Sequence, residues 1–342
     1  MIDATKWKIR GPVATLTTEH STWDIAREEW QPPRGFVTTS FRLDGAVSAT
    51  DFHNPDGSIA HSRWVYDDAG RLMESSFQLG DGPIDRTVYS YDDAGRHVRT
   101  VQVSHDGTQT ETEICTYDSD GNKTKVRFLG RLGAPNGFGV EGSEESYPAP
   151  GATTMTTTYD EKHLPTRTVF EDANHKPVTT VTLTRDATGR LAKEEMVMDQ
   201  ESMLTNLLQE APPEQFEAAA AIFKDALGKF TSTSYTYDGQ GRRVERTNRM
   251  GRLGEHRSTY LYHDRDDPIE EINEDRHREA NINENGGVEY SPDRVNRQHN
   301  RTEYVYDARG NWTERTVSYQ VDPNTPFQRS NVERRAITYH AA

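Results

Sequence analysis

The chain has 342 residues, but only 32% are hydrophobic, and 55 acidic against 40 basic residues leave a net charge of -15. That composition argues against a large two-domain globule with a deep core, and the negative field disfavours nucleic acid and anionic membranes as partners. Disorder is argued against by 15 Tyr, 11 Phe and 5 Trp; a thin sheet with at least one wet face fits better.

In chain order, the N-terminal stretch MIDATKWKIRGPVATL contains no apolar run of signal-peptide length, and no segment approaches 18 apolar residues, so no membrane insertion is expected. From Phe41 onward one phrase recurs: an aromatic, any residue, Tyr-Asp, two small or polar residues, then Gly-Arg or Gly-Asn. SFRLDG at Phe41 is a weak copy. WVYDDAGR follows with Trp64, Tyr66, Asp67 and Gly70, then YSYDDAGR with Tyr89, Tyr91, Asp92 and Gly95. CTYDSDGN carries Asp118 and Gly121 and holds the one cysteine, Cys115, read as a small buried hydrophobe rather than a nucleophile. Residues 129–152, rich in Gly, Pro and Ser, are expected to form a long edge loop. TTYDEKHL and LTRDATGR are degenerate copies.

Residues 196–230 break the pattern. Met203, Leu204, Leu207 and Leu208 have helical spacing, and Pro212-Pro213 opens a second helical stretch closed by Gly228, which predicts a helical hairpin. The hairpin packs on a sheet face as added core, or acts as a plug, lid or docking element. YTYDGQGR restores the phrase with Tyr235, Tyr237, Asp238 and Gly241, and YLYHDRDD carries Tyr260 and Tyr262. Residues 263–303 read as a polar, charged loop insertion. YVYDARGN supplies Tyr304, Tyr306, Asp307 and Gly310, and Tyr339 closes the series.

Spacing decides the architecture. Tyr66, Tyr91 and Tyr117 are 25 and 26 residues apart, Tyr159 to Arg185 is 26, and Tyr237 to Tyr262 is 25. Arg185 to Tyr237 is 52, as if an insertion had overwritten one copy. Within each copy the aromatics alternate onto one strand face, the Asp serves an Asx-turn and the Gly supplies positive φ. Each period is one β-hairpin. About ten copies give about twenty strands at ~4.8 Å spacing, a strip that native twist curls into an arc, spiral or barrel.

The phrase YDDAGRLMES and its copies resemble the YD repeats of RHS proteins, teneurins and insecticidal toxin complexes, over about Phe36 to His340. The resemblance implies hairpins wound into a hollow shell, an encapsulating or adhesive role with carbohydrate binding, and a bacterial secreted or cell-surface setting. The DPxGL-like self-cleavage phrase of toxin shells is missing; Asp322-Pro323-Asn324 shares only its first two residues. The fold is taken from the resemblance, and the toxin role is not.

The fold expected is therefore all-β, a single domain over 1–342: a curved or spiral meander of YD hairpins with a small helical insertion. The ladder Trp64, Tyr66, Tyr89, Tyr91, Tyr235, Tyr237, Tyr260, Tyr262, Tyr304 and Tyr306 either stacks on sugar rings or knits the hairpins together. Asp118 to Asn122 and Asp264 to Asp267 resemble pieces of calcium loops, but the first is also an ordinary repeat turn. No phosphate loop, GxSxG, HExxH or zinc cysteine pair is present, and no metal or cofactor is expected. The function expected is a non-catalytic binding or encapsulating scaffold for protein or glycan, with dimerisation as a way to cover apolar surface. The alternative is a carbohydrate-active enzyme with paired carboxylates in a concave cleft.

Overall fold

The computed structural model describes residues 9–129, 138–149, 151–199, 220, 221, 225, 230–283 and 287–341. The chain is all-β and consists of antiparallel strands that pair mostly in sequence order, as a period of one hairpin requires. It divides into two compact units, one from 1–112 with 300–342 and the other from 113–299.

In the first unit, Phe36–Phe41, Val47–His53, Ile59–Tyr66, Leu72–Leu79, Ile84–Tyr91 and His97–Val103 form an uninterrupted meander. Val13–Asp24 adds to its free side and pairs again with Gln328–Tyr339, which in turn pairs with Trp312–Gln320. The two most sequence-distant segments thus meet in one ladder. Val13, Leu16, Phe41 and Val47 form the core there, with Trp64, Ile337 and Tyr339 packed against it.

The second unit is a meander from Lys123–Phe128 through Thr154–Tyr159, Pro165–Glu171, Pro177–Arg185, Leu191–Met198, Phe230–Tyr237, Arg243–Met250 and Gly254–Tyr262 to Pro268–His277. Its core is larger and gathers Cys115, Val126, Phe170, Val181, Leu183, Met196 and Tyr235. Cys115 is buried, and burial pushes its thiol up, away from the reactive thiolate.

Three expectations need correction. The 52-residue interval hides no missing copy: Leu191–Met198 pairs directly with Phe230–Tyr237, so the intervening residues are added to a complete ladder. Met196 to Met198 and Phe230 accordingly belong to strands, because ladder pairing outweighs the local helical pattern at both ends. Of the rest of 196–230, Ala220, Ala221 and Asp225 are helical, and the predicted hairpin otherwise lies outside the described residues. The segment 263–303, read as a loop, contains the strand Pro268–His277, a short ladder of Ala280–Ile282 with Val288–Tyr290, and most of Arg294–Tyr306. Strands without a buried face need no apolar alternation, so polarity alone misreads them. Finally, the described part of 129–152 is no edge loop: Val140, Tyr147, Ala149 and Ala152 are in the core of the second unit.

Candidate functional site

The recurring phrase builds one local device. Asp67 Oδ1 accepts the backbone N–H of Ala69 and of Arg71, while its Oδ2 accepts Arg71 Nε at 2.7 Å. Gly70 closes the turn at φ 77° and donates its N–H to the Asp67 carbonyl. Asp92 with Arg96, Asp186 with Arg190 and Asp238 with Arg242 repeat the carboxylate–guanidinium pair. Asp118 uses Asn122 Nδ2 instead, at 3.0 Å. The Asp118 carboxylate, part of the calcium-loop resemblance, is thus engaged by its own turn. Asp307 accepts Asn311 N–H at 2.9 Å and the Tyr339 hydroxyl at 2.5 Å, and Gly121, Gly241 and Gly310 all have positive φ.

In four copies the second tyrosine reaches back to the copy before it. The hydroxyls of Tyr66, Tyr91, Tyr237 and Tyr262 donate to the carbonyls of Val47, Leu72, Leu191 and Arg243, at 2.7–2.8 Å. Over their rings lie Arg42, Arg71, Arg190 and Arg242, at 4.7–5.2 Å from the centroids. One arginine therefore pairs with the Asp of its own turn and stacks on the tyrosine of the next copy, as Arg71, Arg190 and Arg242 do. Burial pushes the Tyr91, Tyr237 and Tyr262 phenols up.

The first aromatics diverge. Tyr89 lies with its hydroxyl 3.3 Å from Ser75 Oγ and its ring edge-on to His97. Arg243 sits 5.6 Å and 5.5 Å from the Tyr235 and Tyr260 rings. Tyr304 contacts both Tyr306 and Trp312. The ladder residues are thus spread along the sheets and do not converge on one point. What differs between the units is whether the sheet face that carries these aromatics is covered.

In the second unit it is covered by the chain itself. Glu194, 1% exposed, accepts the Tyr235 hydroxyl at 2.8 Å and the Glu144 backbone N–H at 3.1 Å, and also accepts the hydroxyls of Ser143 and Tyr147. Arg246 pairs with Glu145, and Arg243 with Glu144. Thr179 adds a hydrogen bond to the Pro148 carbonyl at 2.7 Å. The segment around 143–149 is thereby pinned across the sheet. Burial, and then the bond to Glu194, hold the Tyr147 and Tyr235 phenols far above their usual range. Sequence reading missed Glu194 and Tyr147. The available signal was parity: Glu194 stands two and four residues before Met196 and Met198, on the same strand face.

In the first unit the same face carries an open groove of about 380 Å³. Trp64 and Phe77 give it apolar walls, and Ser62, Ser75, Thr87 and Gln102 bring hydroxyl and amide groups to it. Register places Ser62 opposite Phe77, Trp64 opposite Ser75 and Thr87 opposite Gln102, so all share one face. Phe77 is 52% exposed. A second hollow of about 300 Å³ is lined by Thr18, His20, Phe36, Val37 and Phe52.

Fold and groove together define an all-β antiparallel hairpin protein in which the described repeat aromatics line a sheet face within each unit. No protein-family model matches the chain, and no curated protein matches its sequence. Among solved structures it is similar to a complex of TcdB2, TccC3 and Cdc42, at 14% identity, TM-score 0.26, over 92% of this chain and 18% of that one. The Tc holotoxin pore of Photorhabdus luminescens is similar at 15% identity, TM-score 0.27, over 84% of this chain and 16% of that one. The chain thus spans less than a fifth of the length of either. A porin-like protein from Bacteroides uniformis is similar at 11% identity, TM-score 0.31, over 96% of this chain and 99% of that one.

Proposed function

We propose that this chain is a non-catalytic binding scaffold of the YD-repeat type, and that its ligand, a glycan or a protein segment, docks on the open aromatic face of the unit formed by 1–112 and 300–342. The observation that carries this reading is the groove at Trp64 and Phe77. Aromatic walls beside short hydroxyl and amide groups suit a ligand that is apolar on its faces and polar at its edges, which describes a sugar ring. Its lining includes one carboxylate, Asp85, whereas a glycosidase needs two facing each other. Glu145 and Glu194, which meet at the Tyr235 hydroxyl at 3.2 and 2.8 Å, are committed to the covering segment. The binding role is therefore better supported than the carbohydrate-active one.

A glycan array followed by titration calorimetry tests this. Binding is expected in the wild type and is expected to fall about 10-fold or more in Trp64→Ala and Phe77→Ala, since one buried aromatic contact contributes about 1.5 kcal/mol. The melting temperature identifies any variant that has merely unfolded. A second copy of the chain as occupant would appear instead as a concentration-dependent dimer in light scattering, weakened by the same substitutions. A monomer that binds neither glycans nor a peptide library sinks the proposal.

A further inference from the structure

The open face of the first unit carries a second feature beside the groove at Trp64. Register sets Thr18 opposite Val37, Val37 opposite Phe52, Phe52 opposite Ala60 and Ala60 opposite Leu79. The strands from Val13–Asp24 to Leu72–Leu79 thus place one residue each in a single row across the sheet. Thr18 apart, the row is apolar, and its Phe52 and Leu79 are 48% and 58% exposed. At the Thr18 end lies the hollow of about 300 Å³, where Arg34 joins His20 in the lining and no carboxylate does. Both side chains belong to exposed residues, and among the described residues neither has an ion-pair partner. Glu333, opposite His20, is taken by Arg315 at 2.7 Å. An unpaired guanidinium beside an imidazole, in a chain of net charge -15, is a local site for an anionic group.

We propose that this row docks a short extended segment of a partner protein, with apolar side chains over Val37, Phe52 and Leu79 and a carboxylate on Arg34. The second unit shows what the corresponding face accepts. There the chain's own Ser143 to Pro148 passes from strand to strand: Thr179 holds Pro148, Glu194 holds Tyr147, Tyr235 and Arg246 hold Glu145, and Arg243 holds Glu144. That segment buries an aromatic side chain and sets two glutamates on arginines. The row in the first unit runs across its strands in the same way, with apolar positions for side chains and Arg34 for the acid. At ~4.8 Å per strand it is about 19 Å long from Thr18 to Leu79, the reach of about six extended residues. A sugar needs hydrogen-bonding groups along its ring edges, and from Val37 to Leu79 the side chains of the row offer none. The row therefore favours a peptide. This inference rests on the reading that the open face binds a ligand, and it names the chemistry of that ligand.

Fluorescence anisotropy on the full chain tests this with labelled peptides of about eight residues, long enough to span the row. One set carries leucine or phenylalanine at varied spacing and ends in paired glutamates; a matched set ends in paired lysines. Members of the glutamate set are expected to bind, and their lysine counterparts to bind about 10-fold more weakly or worse. Phe52→Ser and Leu79→Ser are each expected to weaken the glutamate set by about 10-fold, and Arg34→Glu to shift the preference toward the lysine set. All three side chains are exposed, so the variants keep the fold, which an unchanged melting temperature verifies. No binding by the glutamate set, equal binding by the lysine set, full affinity in Phe52→Ser, or an unchanged preference in Arg34→Glu overturns the proposal. If no acidic peptide binds but a glycan does, lost in Trp64→Ala and kept in Phe52→Ser, the groove reading stands and this one falls. If neither binds, both fall.

Discussion

Each letter of the repeated phrase has a measurable consequence at the residue scale. Asp67, Asp92, Asp160 and Asp172 are held below the usual carboxylate range, first by the backbone N–H of Arg71, Arg96, Leu164 and Lys176. A folded-state value below the unfolded one of about 3.9 means that these groups stabilise the fold above that pH. Their contribution is lost as pH falls through the folded values, so urea midpoints are expected to be flat near neutrality and to drop below about pH 4. Tyr91→Phe removes the hydrogen bond to the Leu72 carbonyl and is expected to cost about 1 kcal/mol in chemical denaturation. His163 and His175 occupy the glycine position of their turns at φ 60° and 62°. Left-handed backbone is unfavourable for a residue with a Cβ, so His163→Gly is expected to stabilise by about 1 kcal/mol, which would show as a raised urea midpoint. These turns were readable in the sequence because Asx-turn and positive-φ chemistry is local and needs no knowledge of distant strands.

At the scale of the element, the piece of chain around 143–149 depends on Glu194. In Glu194→Gln an amide N–H₂ faces donors where a carboxylate accepted four, and the loss is expected to be about 2–3 kcal/mol. Limited proteolysis within 138–152 is the direct check: rapid cleavage in the variant and slow cleavage in the wild type. The same contacts set an alkaline limit. Because the folded Tyr147 and Tyr235 phenols are raised above the ordinary value, their contribution is complete below about pH 10 and is lost as pH climbs beyond it. None of this was legible beforehand. Residues 129–152 have the composition of a loop, and Glu194 is one of 55 acidic residues until strand pairing turns it inward. The ladder aromatics were legible as a shared face, but which stretch of that face is covered depends on an insertion that carries no periodic signal.

For the whole molecule, the ladder of Val13–Asp24 with Gln328–Tyr339 closes more than 300 residues of sequence separation, within a unit that has few other buried apolar groups. Contacts so distant form late, so refolding is expected to be slow, on the order of seconds, in stopped-flow fluorescence. Leu16→Ala is expected to cost about 2–4 kcal/mol there, because Leu16 is 3% exposed among Phe41, Val47 and Ile337. Sequence patterning predicted the meander but not this pairing, since nothing local distinguishes one edge strand from another. The arginine that pairs within its own turn and stacks on the following tyrosine has a further consequence, for how such a chain can lengthen. Its natural quantum of growth is two strands. Duplicating or deleting a whole period leaves every stack with a donor and a recipient, whereas gain or loss of one strand reverses chain direction and strands an arginine without its ring. Genetic drift in repeat number is therefore expected to proceed in steps of about 25 residues, with irregular insertions confined to places where the two flanking strands still pair.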